Sequence, residues 1–370
     1  MEKQQGTMEK MEMINSFVDS SFWKNKRVFV TGHTGFKGGW LCIWLYKLGA
    51  NIKGYSLEPN TTPSLFDEAK IDQIVNSEIN DIRDFDKLEK SLIDFDPQII
   101  FHLAAQPLVR DSYDDPISTY STNVMGTLNI LEAARKLNSL KSFIIITTDK
   151  CYENDNRVEG YVETDPMGGY DPYSSSKGCC ELLVNSFRRS FYSDEECSIR
   201  VATVRAGNVI GGGDWSKDRL IPDVINSILY EKPLFVRNPH AVRPWQHVLE
   251  PISGYLILAQ NLYFSEKGEF DSSWNFGPNY SDCKSVKSVI ERILFLWNKK
   301  LNWEFDSKNN PHEANFLKLN CNKAKNYLGW VPIWNLDKSI EMTVQWSIKR
   351  SKNVNSLTNC LNQIQDYIDN

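Results

Sequence analysis

Short apolar runs alternate with amphipathic stretches along the first 205 residues of the chain. Apolar runs at 28–30 and 52–57 flank leucines at helical spacing, and Gly49 ends that predicted helix. The alternation continues with helices predicted at 84–95, at 116–137 and from Pro172 onward, and with strands predicted at 99–103, 143–147 and 199–204. Because the strands are apolar throughout and helices separate them, we predict an α/β fold with a doubly wound parallel sheet covered on both faces.

The composition argues against several classes of partner. The 370 residues carry a net charge of -5 with lysine and arginine dispersed, so neither nucleic acid nor an anionic membrane surface is an expected partner. No run approaches the roughly 20 apolar residues of a membrane span, which predicts a soluble, cytoplasmic protein acting on a small molecule. The eight cysteines are irregularly spaced and histidines number five, so we expect neither a disulfide framework nor a metal site.

Glycines at three-residue spacing, Gly32, Gly35 and Gly38, lie between the first predicted strand and helix. Such a turn lets a pyrophosphate approach the backbone at a helix N-terminus, where unpaired N–H groups favour negative charge. A plain strand-to-helix turn is the alternative, but the place in the first βα unit favours a Rossmann-type dinucleotide site. The residues expected to contact the cofactor here are Gly32, Thr34, Gly35, Phe36, Lys37 and Gly38.

The second predicted strand lacks the carboxylate that usually binds the ribose about 20 residues after the glycines. Ser56 stands at that position, and Glu58 follows two residues later. NAD is therefore the expected cofactor, although the usual argument against NADP is weakened. Asp81 is a candidate for the adenine edge, with an ordinary surface carboxylate as the alternative.

A hydroxyl, a phenol and an amine are the clearest candidates for proton chemistry. Tyr173 and Lys177 are four residues apart on a predicted helix, so their side chains project from one face. A neighbouring ammonium favours the phenolate, so Lys177 is expected to lower the pKa of Tyr173 and let it act as a base on a substrate hydroxyl. Thr148, at the end of a predicted strand, adds a hydroxyl that the fold could bring to the same pocket.

From about residue 22 onward, the ordered motifs resemble those of extended short-chain dehydrogenases/reductases that act on nucleotide sugars. They comprise the three glycines, Asp81-Ile82, His102-Leu103-Ala104-Ala105, Asn123, Thr148 and Tyr173-x-x-x-Lys177. The resemblance implies an NAD site that also includes Asp81, Ile82, Leu103, Ala104, Ala105, Tyr173 and Lys177.

The same resemblance implies roles for three of these residues. Thr148 would contact the reacting sugar oxygen, Tyr173 would be the base, and Lys177 would hold the nicotinamide ribose and tune Tyr173. Relatives pair through the helices that carry Asn123 and Tyr173, so a homodimer, or its double, a homotetramer, is expected.

Asp149 and Lys150 resemble the 4,6-dehydratase branch, which must expel the C6 hydroxyl as water after C4 is oxidised. Most such enzymes carry Asp-Glu here; lysine at the second position resembles the members that act on CDP-glucose, as do the strings at 32–38, 167–173 and 243–247. Asp149 is then the expected acid at O6. Lys150 is the expected base at C5, its pKa lowered by burial and by Lys177 and opposed by Asp149. Alternatively, Lys150 only stabilises the enolate and another group or water takes the proton.

The expected substrate-binding residues are Gln106, Asn208, Arg219, Arg243 and His247. Arginine forks suit diphosphates, so Arg243 is the first choice for the pyrophosphate, with a surface ion pair as the alternative, and Arg219 is the second. By resemblance, Asn208 bonds a phosphate or sugar oxygen. His247 either lines the nucleotide pocket or is a structural histidine. His312-Glu313 stand where many relatives place an arginine, which leaves recognition of the base unassigned.

Three readings of function remain open besides a CDP-glucose 4,6-dehydratase activity. They are a nucleotide-sugar 4-epimerase, a 4,6-dehydratase of another NDP-sugar, and a non-catalytic dinucleotide-binding regulator. For the domains, we expect a disordered N-terminal extension over 1–21 and an NAD-binding Rossmann domain over 22–205. Residues 206–370 are expected to form mainly a smaller, loop-rich substrate lobe, with segments that return to the sheet.

Overall fold

The computed structural model describes residues 16–155, 157, 159–194, 197–305 and 317–370. Its strands are β1 (Arg27–Thr31), β2 (Asn51–Ser56), β3 (Asn76–Ile79), β4 (Ile99–His102), β5 (Ser142–Ile146), β6 (Arg200–Arg205), β7 (Val209–Ile210), β8 (Leu234–Val236), β9 (Val242–Pro244), β10 (Gln246–His247), β11 (Ser273–Asn275), β12 (Cys283–Ser285) and β13 (Trp303–Phe305).

The helices are numbered in the same chain order. They are α1 (Ser20–Trp23), α2 (Phe36–Lys47), α3 (Leu65–Glu68), α4 (Phe85–Phe95), α5 (Val109–Asp114), α6 (Pro116–Tyr120), α7 (Gly126–Ala134), α8 (Pro172–Ser190), α9 (Leu220–Tyr230), α10 (Leu249–Phe264), α11 (Val286–Trp297), α12 (Asn322–Leu328), α13 (Leu336–Ser351) and α14 (Ser356–Ile368). A π-helical segment, Ser121–Met125, joins α6 to α7, and 3₁₀ turns cover Ile71–Gln73, Asp149–Cys151 and Tyr280–Asp282.

A seven-stranded sheet forms the centre of the described structure, in the order β11-β6-β5-β4-β1-β2-β3. Every neighbouring pair in this sheet is parallel. From β1 the chain winds outward to β3 and then, starting at β4, outward in the other direction. The prediction of a doubly wound parallel sheet is confirmed. In such sheets, ligands bind beyond the carboxyl ends of the strands where the winding direction reverses, which here lies between β1 and β4.

Alternating side chains of the strands bury both faces of the sheet. In β1, Phe29 lies in one apolar cluster together with Leu88 of α4, whereas Val30 lies in the other together with Trp40 of α2. Successive strand residues point to opposite faces, so helices on both sides are needed to cover them. This packing fixes the carboxyl ends of the strands as the rigid rim on which a site can be built.

The chain after β6 forms small paired strands and also adds a strand to the main sheet. β7 pairs with β10, β9 with β12, and β8 with β13, around a separate apolar cluster that includes Val224, Trp245 and Ile290. β11 returns to the sheet, where Ser273 pairs with Thr203 and Asn275 with Arg205.

Most of the predicted N-terminal extension lies outside the described residues. In the described part of the extension, Asp19 caps the N-terminus of α1, where its side chain accepts a hydrogen bond from the Ser21 N–H at 2.8 Å. Its own N–H donates to Gln260 of α10 at 3.2 Å. Within the described ranges, the helices are too short or too polar to cross a lipid bilayer.

Candidate active site

A cavity of about 1010 Å³ opens at the carboxyl ends of the central strands. Its wall is formed by the residues that follow β1, β4, β5 and β6, where the doubly wound topology predicts a ligand crevice. All site residues predicted from the sequence except His247 line this cavity. In the described part of the chain, no cluster of three or more His, Cys, Asp or Glu side chains is arranged to hold a metal ion.

The glycine turn fits the pyrophosphate of a dinucleotide. Gly32 has a φ of 74°, and a Cβ there would lie 2.7 Å from the Ala104 nitrogen, so the turn and the β4 loop meet closely. Gly35 begins α2 without a side-chain cap, which leaves first-turn N–H groups available to an anion. Thr34 stabilises the turn, since its hydroxyl lies 2.9 Å from both the Leu57 carbonyl and the Ser56 hydroxyl.

The opposite end of the cofactor region carries acidic groups. Ser56 and Glu58 line the cavity after β2, and Asp81 and Ile82 line it after β3. The Asp81 carboxylate accepts hydrogen bonds from the Arg83 guanidinium at 2.5–3.0 Å, and this pairing lowers the pKa of Asp81. Asp81 is therefore an ordered, ionised group at the expected adenine edge.

Helix α8 presents Tyr173 and Lys177 to the end of β5. Asp171 caps the helix by accepting from the Ser174 N–H at 2.9 Å, and Pro172 occupies its first turn. Lys177 Nζ donates to the Ile146 carbonyl at 3.1 Å. The hydroxyls of Tyr173 and Thr148 are hydrogen-bonded to each other. The structure thus brings together the three residues whose spacing suggested proton chemistry.

The expected lowering of the Tyr173 pKa is wrong for this state of the site. Burial raises the pKa of Tyr173 to about 12, and the hydrogen bond with Thr148 and the charge of Arg219 only partly oppose that effect. The reason is desolvation: removing water penalises the phenolate more than neighbouring donors and cations stabilise it.

Asp149 and Lys150 follow Thr148 in a 3₁₀ turn but face different environments. Asp149 is 1% exposed, and its Oδ1 accepts from the Thr148 hydroxyl at 3.1 Å. Burial raises the pKa of Asp149, while Lys150 and Thr148 act in the opposite direction. A Cβ on Gly207 would lie 1.8 Å from Asp149 Oδ2, so only glycine leaves room for this carboxylate. Lys150 is exposed at the cavity wall, so the burial that was expected to act on it is absent.

Another part of the cavity wall is rich in cationic and amide groups. Arg219 Nη1 lies 3.0 Å from Asp214 Oδ2, an ion pair that raises the pKa of Arg219. Arg243 Nη1 donates to the Val242 carbonyl at 3.2 Å, and its charge acts on Asp149. Asn208 lines the same region with a φ of 45°.

Gln106 also lines the cavity, although its side chain is committed to its own loop. Its Nε2 donates to the Leu108 carbonyl and the Thr119 hydroxyl, and its Oε1 accepts from the Leu108 N–H. These bonds hold the Gln106 amide in a fixed position in the cavity wall near α5.

His247 is not among the residues that line the cavity, so the structure favours the alternative of a structural histidine over a contact with the nucleotide. It is fully buried, and its ring packs edge-on against Trp40 and Trp334, with centroid distances of 5.9 and 5.0 Å. Its place in β10, whose side chains point into the core, explains this burial. His312 and Glu313 lie outside the described residues.

A buried polar network that the sequence pattern did not predict lies behind α8. Glu181 accepts hydrogen bonds from the Thr147 hydroxyl, the Thr203 hydroxyl and two nitrogens of Arg205, all at 2.5–2.9 Å. Glu181 follows Lys177 by four residues, so extending the spacing from Tyr173 along the same helix face would have found it.

A second missed contact joins the glycine turn to a distant helix. Lys37 Nζ lies 3.5 Å from the Tyr255 hydroxyl of α10.

Asn123, for which the sequence predicted no particular contact, lies in the π-helical segment. Its side-chain amide donates to the Ser176 hydroxyl of α8 at 2.8 Å. Such segments occur often at functional sites, and this one holds α8 against the Gln106 loop.

Comparison with known proteins agrees with this geometry. A family model described as GDP-mannose 4,6 dehydratase matches residues 29–343. The CDP-glucose 4,6-dehydratase of Salmonella typhimurium is 50% identical, covering 95% of this chain and 98% of that protein. A dTDP-glucose 4,6-dehydratase of Xanthomonas campestris is 27% identical, covering 86% of this chain and 92% of the relative. The structure of a Bacillus anthracis dTDP-glucose 4,6-dehydratase in complex with NAD has the same fold, with a TM-score of 0.73 at 24% identity over 90% of this chain and 99% of that one.

Proposed function

The chain belongs to the GDP-mannose 4,6-dehydratase family, and from that premise we propose that it converts CDP-D-glucose to CDP-4-keto-6-deoxy-D-glucose and water with bound NAD. The predicted resemblance to nucleotide-sugar dehydrogenases/reductases is confirmed by the relative with 50% identity. One observation supports this reaction most directly. A buried carboxyl group, Asp149, and an exposed amine, Lys150, lie beside the hydrogen-bonded hydroxyls of Thr148 and Tyr173.

NAD, when bound, supplies a hydride acceptor for C4 and a hydride donor for C6. The residues that would hold it are those of the glycine turn at the pyrophosphate, Asp81 at the adenosine end and Lys177 at the nicotinamide ribose. The close approach of Gly32 to the β4 loop and the uncapped start of α2 support this placement.

In the first stage, Tyr173 takes the proton of the C4 hydroxyl while the C4 hydrogen leaves as a hydride. Thr148 orients that hydroxyl and lowers the pKa of Tyr173 through the hydrogen bond between their side chains. Lys177 adds a positive charge on the same helix face, held by the Ile146 carbonyl. C4 becomes a ketone, and the ketone acidifies the hydrogen on C5.

In the second stage, the neutral amine of Lys150 takes the C5 proton and becomes an ammonium, while Asp149 protonates the C6 hydroxyl, which leaves as water. Burial keeps a proton on Asp149 to higher pH than is usual for a carboxyl group, as an acid requires. Lys150 is exposed at the wall of the same cavity. After the hydride reaches C6, a proton returns to C5 and the cofactor ends as it began.

The diphosphate of the substrate is assigned to two arginines of the cavity wall. Arg243 is the first candidate, since it lines the cavity and its charge reaches Asp149. The Arg219 guanidinium is already paired with Asp214, so it would have to contact that carboxylate and the diphosphate at the same time. Asn208 would donate a hydrogen bond to a phosphate or sugar oxygen. A planar guanidinium can bind two phosphate oxygens at once, which fits either arginine to this role.

The proposal is tested by incubating the purified protein and NAD separately with CDP-, dTDP-, GDP- and UDP-glucose and analysing the products by NMR. We expect a 4-keto-6-deoxy product from CDP-glucose and little turnover of the others. The same product from another nucleotide sugar alone would overturn the choice of substrate. A C4 epimer would overturn the reaction, and no turnover of any sugar would favour a non-catalytic dinucleotide-binding protein.

We further propose a homodimer paired through the outer faces of the helices around Asn123 and Tyr173. Three apolar side chains there are largely exposed: Ile117 at 82%, Met125 at 48% and Leu182 at 61%. Covering such side chains is a common reason for association. Sedimentation equilibrium should give twice or four times the chain mass, and Ile117→Lys with Leu182→Lys should give monomers. A monomeric unaltered protein would contradict this proposal.

A further inference from the structure

Asp223 is a carboxylate in the wall of the active-site cavity to which the reaction proposed above gives no role. It lies in the first turn of α9, and its N–H donates to the Arg219 carbonyl, one helical turn earlier, at 3.1 Å. The side chain is half-buried. Within the described residues its carboxylate makes no hydrogen bond or ion pair, so its acceptor capacity is available to a ligand in the cavity.

The charges that act on Asp223 differ from those of the reaction centre. Burial and the charge of Asp218 raise the pKa of Asp223 to about 6, and Arg237 opposes them. Arg219, in contrast, acts electrostatically on Tyr173. Because the proposed function puts the reacting sugar at Tyr173 and the diphosphate at the arginines, Asp223 lies toward the nucleoside of the substrate.

Apolar side chains line the cavity wall that α9 and β8 form next to Asp223. Leu220 of α9 lines it together with Leu234 and Val236 of β8, and all three pack in the apolar cluster that includes Trp245. A pyrimidine has apolar faces and a polar edge. Such a wall can therefore hold the faces of the base, while a single polar group beside it contacts the edge and provides specificity.

We propose that the Asp223 carboxylate selects cytosine by accepting a hydrogen bond from the 4-amino group of the base. The inference rests on the proposed function and deepens it by naming the group that recognises the base. Cytosine carries an amine donor at C4, whereas uracil and thymine carry a carbonyl oxygen at the same position. A carboxylate accepts from the amine and repels the carbonyl oxygen, so one side chain both favours CDP and disfavours UDP and dTDP.

A contact with the ribose is the competing explanation, since a carboxylate also accepts from hydroxyl groups. The two roles predict different ligand dependence. CDP and UDP carry the same ribose, so loss of a ribose contact weakens the binding of both equally. A contact with the amine is lost only with CDP. It is also missing when the unaltered protein binds 2-pyrimidinone ribonucleoside diphosphate, which carries hydrogen in place of the 4-amino group of CDP.

The test is calorimetric titration of the NAD-loaded protein with CDP, UDP and the 2-pyrimidinone diphosphate at about pH 8, where Asp223 is ionised. The unaltered protein should bind CDP at least about tenfold more tightly than either of the others, as expected for a hydrogen bond to a charged group. In Asp223→Asn, the preference for CDP over UDP should fall to within about threefold, because an amide can accept from an amine or donate to a carbonyl.

Asp218→Asn is the matched control, because Asp218 also lines the cavity and its charge acts on Asp223. Its carboxylate, however, is paired with Arg110 at 3.0 Å. Removing this charge should change the affinities for CDP and UDP together and leave their ratio within about twofold, since both ligands carry the same diphosphate. The comparison of CDP with the 2-pyrimidinone diphosphate uses the unaltered protein and does not depend on the folding of any variant.

Three results would each overturn the inference. They are equal binding of CDP and the 2-pyrimidinone diphosphate by the unaltered protein, an unchanged ratio of CDP to UDP affinity in Asp223→Asn, and equal weakening of both ligands in that variant. The proposed function survives all three if the unaltered protein still converts CDP-glucose to the 4-keto-6-deoxy product. Absence of that conversion overturns the proposed function itself.

Discussion

Replacing Glu181 by glutamine should destabilise the fold more than any surface substitution, because Glu181 and Arg205 form an ion pair at 2.8 Å with both side chains 3% exposed. The carboxylate also accepts from the Thr147 and Thr203 hydroxyls. Arg205 lowers the pKa of Glu181 despite burial. Glutamine would present an amide donor to hydroxyl and guanidinium donors, and Arg205 would keep a buried charge without its counterion.

The expected loss of folding free energy follows from the buried Arg205 charge that the substitution leaves without its counterion. Removing one member of a buried ion pair typically destabilises a protein by about 3–5 kcal/mol, since the remaining charge stays desolvated. The folded-state pKa of Glu181 is depressed, so its contribution is complete above the unfolded-state value and is lost as the pH falls below it. The difference between the unaltered protein and Glu181→Gln should therefore shrink in acid.

Urea unfolding followed by circular dichroism and by tryptophan fluorescence measures this cost. Glu132→Gln is the matched control, because Glu132 forms an exposed ion pair with Arg135 at 2.8 Å and should contribute less than about 1 kcal/mol. The double variant Glu181→Met with Arg205→Met should recover much of the loss, since neither buried charge remains. A cost below about 1 kcal/mol for Glu181→Gln would refute the reasoning, because it would mean that Arg205 finds another partner.

Variants around Tyr173 are expected to separate the two stages of the reaction. Thr148→Val removes the hydrogen bond that lowers the pKa of Tyr173, so the rise of kcat/KM with pH should move to higher pH; an unmoved profile contradicts that role. Lys150→Ala should keep C4 oxidation, visible as transient reduced-nicotinamide absorbance, and stop water loss; full dehydration would exclude Lys150 as the base. Gly207→Ala, whose Cβ would lie 1.8 Å from Asp149 Oδ2, should slow dehydration by about 100-fold or more, since misplaced groups cost that much; normal turnover would show that Asp149 can move freely.

The strands and helices of the first half could be predicted because local periodicity is enough to define them. The apolar run at 28–30 appears as β1, and the helix expected from Pro172 appears as α8. The site also followed from topology, since residues after parallel strands meet at one edge of the sheet. Thr148 and Tyr173 therefore reach each other in the fold although 25 positions separate them in the chain.

Burial could not be predicted with the same success, because it depends on contacts between distant segments. Lys150 was expected to be buried and is exposed. His247 follows an arginine motif, yet Trp40 and Trp334, both far away in sequence, enclose it. The predicted lowering of the Tyr173 pKa was wrong for the same reason. The spacing between Tyr173 and Lys177 can be read from the sequence, but the degree of desolvation of Tyr173 cannot.

The turn after β5 explains how one short segment serves both stages. Thr148 caps the 3₁₀ turn by accepting from the Lys150 N–H at 3.4 Å, and its hydroxyl also contacts Tyr173. Asp149 and Lys150 both line the cavity, Asp149 buried against Gly207 and Lys150 exposed. Elimination needs an acid at the C6 oxygen and a base at the neighbouring C5. A single turn that brings both groups to the same cavity meets both needs, whereas an epimerase, which acts only at C4, would need neither.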